Sequence, residues 1–146
     1  MIIANHGIMG SLKVGITFDL STFTYSGNSY SVSAQENNAR SIRFGDNGSK
    51  FFITGVEGDG LDSYSLNTAY QIGSGGSHLA FHALGAGTSL TGLDVQPDGL
   101  DFFIQDGTNT RIETWNTLTA WDISSLSETT GKRGSLSGGE TGIKYS

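Results

Sequence analysis

The stretch ARSIRFGDNGSKFFITG at residues 39–55 decides the fold, because a related stretch, LTGLDVQPDGLDFFIQD, follows at residues 90–106. The offset between the two is constant at 51 residues, as between Ile42 and Leu93, and the FFI segment after each turn is identical. A fixed period of this length is the sequence signature of a repeat architecture. The repeat therefore takes precedence over any local interpretation of the chain.

The similarity continues beyond these two stretches. Downstream, related residues recur at the same offset: Asp62 with Glu113, Tyr64 with Trp115, and Tyr70 with Trp121. At the C-terminal end, TGIKYS at 141–146 copies TGLDVQ at 91–96. These matches divide the chain into an N-terminal arm (1–12) and a single repeat domain (13–146), with units of approximately 22–72 and 73–123 and a partial third unit at 124–146.

Each copy of the repeat predicts a β-hairpin. Asn47-Gly48 can take the positive φ angles of a tight hairpin turn, and Pro97 presets the first corner of the second turn. Alternating apolar residues on either side predict strands, with Ile42 and Phe44 pointing inward and Arg43 outward.

Similar alternation predicts further strands from Val14 and at Tyr30, Val32 and Ala34. The composition, 22 Gly against one Pro and only 15% charged residues, is typical of many short strands joined by turns. We expect an all-β fold of about two and a half repeats, each with four strands in about 51 residues.

Charge and cysteine content exclude several classes of function. The net charge of −6 argues against nucleic acid and anionic membranes as partners, since both favour basic patches. The absence of cysteine excludes disulfides, zinc ribbons and cysteine nucleophiles. We expect no membrane insertion, because no apolar run approaches the roughly 20 residues that span a bilayer. The N-terminus has no basic region followed by an apolar core, so we predict no secretory signal.

The second copy resembles a β-propeller blade. Its segment from Leu93 to Ile104, followed by Trp-Asp-Ile-Ser at 121–124, is similar to blades that read F-S-P-D-G-x-x-(L/M)-Y-V and end in W-D-I-S. The resemblance covers roughly residues 14–146. The first copy departs from it, with Asp46-Asn47 in place of Pro-Asp and Tyr70 in place of Trp. The resemblance implies four-stranded blades, which form closed rings of typically four to eight.

Two and a half units cannot close a ring alone, and unpaired strand edges favour association with other chains. We therefore expect a homo-oligomer, with a trimer of two blades per chain making a six-bladed ring. A β-sandwich or prism, whose trimer pairs its edges differently, is the alternative architecture.

The polar residues predict no reaction centre. His78 and His82 are four residues apart and would share one side of a strand, where Asp94 or Asp98 could approach, but no further ligand can be named. The alternative is a pair of surface or interface imidazoles. The Asp-rich turns lack the ligand spacing of a Ca²⁺ loop, and four acidic residues have no inferable pairing: Asp59, Asp62, Glu113 and Asp122. We expect no catalytic, metal or cofactor site, and a protein that is not an enzyme.

Four aromatic residues occupy matching places in the two units: Tyr64, Trp115, Tyr70 and Trp121. An aromatic ring beside Asp, Asn and Gly could stack on a sugar, as in small propeller lectins. Large aromatic side chains also dominate core packing. The sequence leaves both interpretations open.

The chain as a whole resembles small bacteriophage virion proteins of the tail-fibre, receptor-binding or capsid-decoration type, and its opening MIIANHGI looks like the N-termini of such proteins. The resemblance implies a virion subunit that contacts other virion proteins and a host surface glycan. The apolar residues of the arm would anchor it: Ile2, Ile3, Ile8 and Met9. The alternative is a soluble oligomeric carbohydrate-binding lectin, either cytoplasmic or secreted without a recognisable signal.

Overall fold

The computed structural model describes residues 21, 24–85, 88–128 and 134–135. The anchoring residues Ile2, Ile3, Ile8 and Met9, the strand predicted from Val14 and most of the partial third unit lie outside the described residues. The described chain is all-β, as the sequence predicts.

The strands form two antiparallel sheets that follow the chain in order. Sheet 1 contains β1 (Ala39–Gly45), β2 (Lys50–Gly55), β3 (Gly60–Leu66) and β4 (Gly76–Ala83). Sheet 2 contains β5 (Leu90–Val95), β6 (Asp101–Asp106), β7 (Arg111–Asn116) and β8 (Ser127–Glu128), and β9 (Gly134–Ser135) also pairs with β7. Within the described ranges, neither sheet closes into a barrel.

The first two strands of each sheet pair in the same register. Phe44 lies opposite Phe51 in sheet 1, and Val95 lies opposite Phe102 in sheet 2. Each first strand also has an irregularity near its start, after Ala39 in β1 and after Leu90 in β5. Residues 51 apart, such as Phe51 and Phe102, therefore take equivalent positions in the two hairpins.

The predicted turns join these strands. Asn47 and Gly48 have φ angles of 52° and 81°, as the Asn-Gly pair predicts. In the second hairpin the Gly99 N–H donates to the Gln96 carbonyl at 2.9 Å, which places Pro97 at the first corner of the turn. Both turn predictions are confirmed.

The strand predicted at residues 30–34 is wrong. The N–H groups of Gln35 and Glu36 both donate to the Val32 carbonyl, so the backbone closes a turn there and makes no strand ladder. The alternation has another cause: the Tyr30 ring contacts Phe51 edge-on at 5.5 Å, and Val32 also packs against this side of sheet 1. The segment thus covers sheet 1 without joining it.

Two apolar clusters lie on opposite faces of sheet 1. The shared core joins Phe52 and Leu61 of sheet 1 to sheet 2, and its sheet 2 side consists of Leu90, Leu93, Val95, Phe102, Ile104, Ile123 and Leu126. The outer cluster contains Phe51, Ile53, Tyr64 and Leu66, with Tyr30, Val32, Phe44 and Ile72 packed against it.

The predicted orientation of β1 is wrong at two residues. Ile42 is 52% exposed, although it was expected to point inward. Arg43, expected to point outward, places its Nε 2.7 Å from Oδ1 of the buried Asp94 on β5. The reason is that β1 packs on β5 through the face that bears Arg43, so Ile42 is on the other face.

The helical segments of the described chain are single 3-10 turns, such as Ile72–Ser74 and Ile123–Ser125. None of these described helices is long and apolar enough to cross a membrane.

Candidate functional site

A cavity of about 270 Å³ lies between the hairpin turns of the two sheets. We call it the junction cavity. Its aromatic walls are Tyr70 and Trp121, and Arg43, Asp46 and Asn47 supply polar groups. An aromatic ring beside carboxylate and amide groups is the combination that the sequence suggested for a sugar site.

The same local structure positions both aromatic walls. Tyr70 and Trp121 have φ angles of 60° and 63°, and their N–H groups donate to the carbonyls of Gly48 and Gly99 at 2.9 and 2.8 Å. Each ring then lies directly on its turn glycine, where a Cβ would overlap it. Glycine is required at these two positions by the positive φ and by this close approach.

The two rings differ in their surroundings. Trp121 reaches across to sheet 1, where it lies against Gly45 and stacks near Phe52 with the ring centroids 6.2 Å apart. Tyr70 contacts Phe44 at 5.7 Å and remains 64% exposed. Only Tyr70 therefore presents a largely free ring face.

The other two predicted aromatic residues are engaged in packing. Tyr64 is buried, stacks on Phe51 with centroids 4.7 Å apart, and donates its hydroxyl to Gln35 Oε1 at 3.3 Å. Burial raises the pKa of the Tyr64 hydroxyl well above its usual value. Trp115 is half-buried, and its indole N–H donates to Glu113 Oε2 at 3.0 Å. Tyr64 thus belongs to the core, one of the two interpretations that the sequence left open.

The expected common side of His78 and His82 is wrong. Both lie on β4, but the register shifts so that Tyr64 is opposite His78 whereas Leu61 is opposite His82. The extra residue at this bulge turns the two imidazoles to opposite faces of sheet 1. His82 contacts Trp115 of sheet 2 edge-on at 5.6 Å. In the described part of the chain, no three His, Asp or Glu residues are placed to hold a metal ion.

Asp62 and His78 form a close pair within sheet 1. The His78 Nε2 lies 2.7 Å from Asp62 Oδ1, and Asp62 is buried. Burial raises the pKa of Asp62, and the hydrogen bond with His78 lowers it in part. The pair joins β3 to β4 beside the bulge, so a role in holding the strands accounts for it.

Glu36 is a buried acidic residue that sequence analysis did not single out. Its carboxylate accepts backbone N–H groups from Asn38 at 2.6 Å, Glu57 at 3.3 Å and Gly58 at 2.7 Å. A Cβ at Gly55 would overlap this carboxylate. The Gly-rich turn GVEGDG at 55–60 therefore wraps around a carboxylate supplied by a distant segment, which no local pattern in the sequence signals.

The ion pair between Arg43 and Asp94 was also missed. Asp94 is 1% exposed, and its second oxygen, Oδ2, has no hydrogen-bond partner among the described residues. A signal was present in the sequence, because Arg43 and Asp94 are 51 residues apart and so occupy the same position in successive units. In this chain that position is where the first strands of the two sheets, β1 and β5, contact each other.

A second cavity, of about 350 Å³, opens on the outer face of sheet 1. We call it the outer groove. Its apolar lining includes Ile42, Ile53 and Ile72 together with Tyr30 and Val32, and Arg40 and Ser41 add polar groups. Ile42 is 52% exposed, so part of this groove is open to solvent.

Comparison with models of known protein families, with curated proteins and with solved structures finds no match to this chain.

Proposed function

We propose that this protein is a non-enzymatic subunit that assembles with copies of itself and serves as a structural or attachment component of a particle such as a bacteriophage virion. The observation that carries the proposal is the outer groove, where an isoleucine that would be core in a closed structure is 52% exposed. Each sheet would be one blade of a propeller-like ring, and three chains would supply six blades, within the usual range of four to eight.

The N-terminal arm would attach the assembly to the particle. Its apolar residues, once fully buried on a particle surface, would each contribute about 1.5–3 kcal/mol. Four such residues are present: Ile2, Ile3, Ile8 and Met9. The repeat domain would then face outward, towards other virion proteins or a host surface.

Deletion of residues 2–9 tests this role in a density gradient. The full-length protein should sediment with the particle, and the deletion variant should remain assembled but stay at the top of the gradient. Asn5→Ser is the matched control, since it changes the arm without removing an apolar residue. A deletion variant that still sediments with the particle, or a full-length protein that sediments with none, contradicts the attachment role.

The second candidate function is that of an oligomeric carbohydrate-binding lectin, and the junction cavity is the observation that favours it. The exposed ring of Tyr70 could stack on the apolar face of a sugar. The Asp46 carboxylate could accept hydrogen bonds from the sugar hydroxyl groups, and the Asn47 amide could accept or donate them. Small-ligand sites combine apolar walls with a few convergent polar groups in this way.

A glycan array tests this second function. The wild type should bind a defined group of glycans, and Tyr70→Ala should abolish the signal. Tyr25→Ala is the control, because Tyr25 is also a strongly exposed tyrosine and does not line the cavity. Binding to no glycan, or equal loss in both variants, would exclude the junction cavity as a sugar site.

A further inference from the structure

We propose that the junction cavity binds the uncharged terminal ring of a saccharide and discriminates against sugars that carry a carboxylate. The proposal rests on the second candidate function, that of a carbohydrate-binding lectin, and it adds the chemical class of the sugar. It is based on the charged groups around the cavity, because both charged side chains that line it, Arg43 and Asp46, are already paired within the chain.

The backbone of the cavity walls supports a ligand at this place. Six non-glycine residues of the described chain have a positive φ, and four of them line the junction cavity: Asp46, Asn47, Tyr70 and Trp121. For bulky side chains such as those of Tyr70 and Trp121 this conformation is unusual. Residues with a strained backbone concentrate at ligand sites, where the surrounding structure holds them in place. None of the six lines the outer groove, so the strain marks the junction cavity in particular.

The size of the cavity limits what can enter it. Its volume of about 270 Å³ lies just below the range of about 300–1,000 Å³ that is typical of small-molecule sites. One aromatic ring, that of Tyr70, is largely exposed and free for stacking, whereas the Trp121 ring lies against Gly99 and Gly45. A single terminal sugar ring therefore fits this cavity better than an internal unit of a longer saccharide.

Arg43 is the cation that an acidic sugar would need, but its charge is neutralised by Asp94. The Arg43 Nε lies 2.7 Å from Asp94 Oδ1, and the Asp94 side chain is buried. The other carboxylate oxygen, Oδ2, has no hydrogen-bond partner among the described residues. If Arg43 turned towards a ligand, it would leave a buried carboxylate without its counter-charge, which is strongly unfavourable. A ligand carboxylate would therefore gain little from this arginine.

Asp46 places an acid on the wall of the cavity. Its side chain is 41% exposed, and its Oδ2 lies 3.5 Å from the Nζ of Lys50. The same Nζ donates to the Trp121 carbonyl at 3.3 Å, and Lys50 does not itself line the cavity. A sugar hydroxyl can donate a hydrogen bond to the Asp46 carboxylate, whereas a sugar carboxylate is repelled by it. Asp46 therefore selects neutral sugars, and Lys50 moderates the selection.

The test measures the binding of sugars in matched pairs. The array contains glycans that differ only in whether the terminal ring is a hexose or the corresponding hexuronic acid, as with glucose and glucuronic acid. The neutral member of the pair with the strongest signal should bind the wild type about 10-fold more tightly than the acidic member, as measured by titration calorimetry. This preference should shrink at about 1 M salt, because salt screens the repulsion.

Two substitutions should shift the preference in opposite directions. Asp46→Asn removes the repelling acid, so the preference should fall towards equal binding, and asparagine tolerates the positive φ of this position. Lys50→Gln leaves Asp46 without its partner, so the preference should rise. Glu57→Gln is the matched control, because it removes one negative charge from an exposed side chain that does not line the cavity. Circular dichroism checks that each variant is folded.

The outcomes separate this proposal from the lectin function. Equal or tighter binding of the acidic members by the wild type overturns the selection of neutral sugars and leaves the lectin function standing. A preference that is unchanged in folded Asp46→Asn, or unchanged at about 1 M salt in the wild type, also overturns the proposal, since charge would then not cause the selection. Binding to no member of any pair overturns both the proposal and the lectin function.

Discussion

The two sheets present the same apolar surface in two different environments. Leu93 on β5 and Ile42 on β1 occupy equivalent positions, yet Leu93 is 3% exposed and Ile42 is 52% exposed. The difference arises because sheet 1 covers the surface around Leu93, whereas part of the surface around Ile42 remains an open groove. Equivalent positions in the two hairpins therefore differ in how far the neighbouring sheet covers them.

The largest expected effects come from the phenylalanines beneath the two surfaces. Phe51→Ala and Phe102→Ala should each lower the free energy of unfolding by about 3–5 kcal/mol, since both rings are buried. Urea denaturation followed by circular dichroism measures the loss. A loss below about 1 kcal/mol at both positions would mean that neither surface depends on its central ring.

The second prediction separates the two environments directly. Leu93→Ala should lower the free energy of unfolding by about 2–5 kcal/mol, because it opens a cavity in the shared core. Ile42→Ala should change it by no more than about 0.5 kcal/mol in dilute solution, where the chains are separate. Urea denaturation at low and high protein concentration tests the pair, and the Ile42→Ala loss should grow with concentration. Equal losses of unfolding free energy in Leu93→Ala and Ile42→Ala at low concentration would contradict the difference in burial between the two positions.

The third prediction concerns Glu36, which holds the turn beside the outer face of sheet 1. Glu36→Gln replaces a carboxylate that accepts three backbone N–H groups, and should cost about 1.5–3 kcal/mol of unfolding free energy. Hydrogen exchange at Glu57 and Gly58 should accelerate in the variant. Glu57→Gln is the control, because the Glu57 side chain is exposed. Unchanged exchange in Glu36→Gln would show that the carboxylate does not hold the turn.

The smallest expected effect is a pH dependence of the unfolding free energy, caused by His82 where it contacts Trp115 of sheet 2. Burial lowers the pKa of His82 below 6.5, so folding favours the neutral imidazole. The stability that depends on neutral His82 is fully present above pH 6.5 and is lost as the pH falls through the lowered pKa. His82→Phe keeps an aromatic contact with Trp115 and cannot be protonated.

Denaturation of the wild type and of His82→Phe across this pH range gives the measurement. The difference in unfolding free energy between them should be constant above pH 6.5 and shift in favour of the variant below it. A difference that stays constant below pH 6.5 would show that burial beside Trp115 does not lower the pKa of His82.

Much of the fold could be predicted from the repeat and the turns. The hairpins at Asn47-Gly48 and Pro97 follow from local backbone preferences, so a short segment of sequence contains the information. The orientation of Ile42 and Arg43 could not be predicted in this way, because alternation shows that a strand has two faces and does not show which face receives the neighbouring sheet. At Tyr30 and Val32 the alternation reflects packing onto sheet 1 without strand pairing.

The candidate sites show the same distinction between features set by local sequence and features set by packing between distant segments. The sequence identified Tyr70 and Trp121 through their repeat positions, and both line the junction cavity. It did not predict the opposite faces of His78 and His82, since a one-residue bulge reverses a strand's alternation without a clear sequence signal. Glu36 could not be found, because two of its three partners, Glu57 and Gly58, lie 21 and 22 residues away along the chain.

The native mass of the full-length protein tests the central claim most directly, namely that copies of this chain assemble with one another. Native mass spectrometry at micromolar concentration should give three times the chain mass of 15.4 kDa. A folded protein found only at the mass of a single chain would contradict the account.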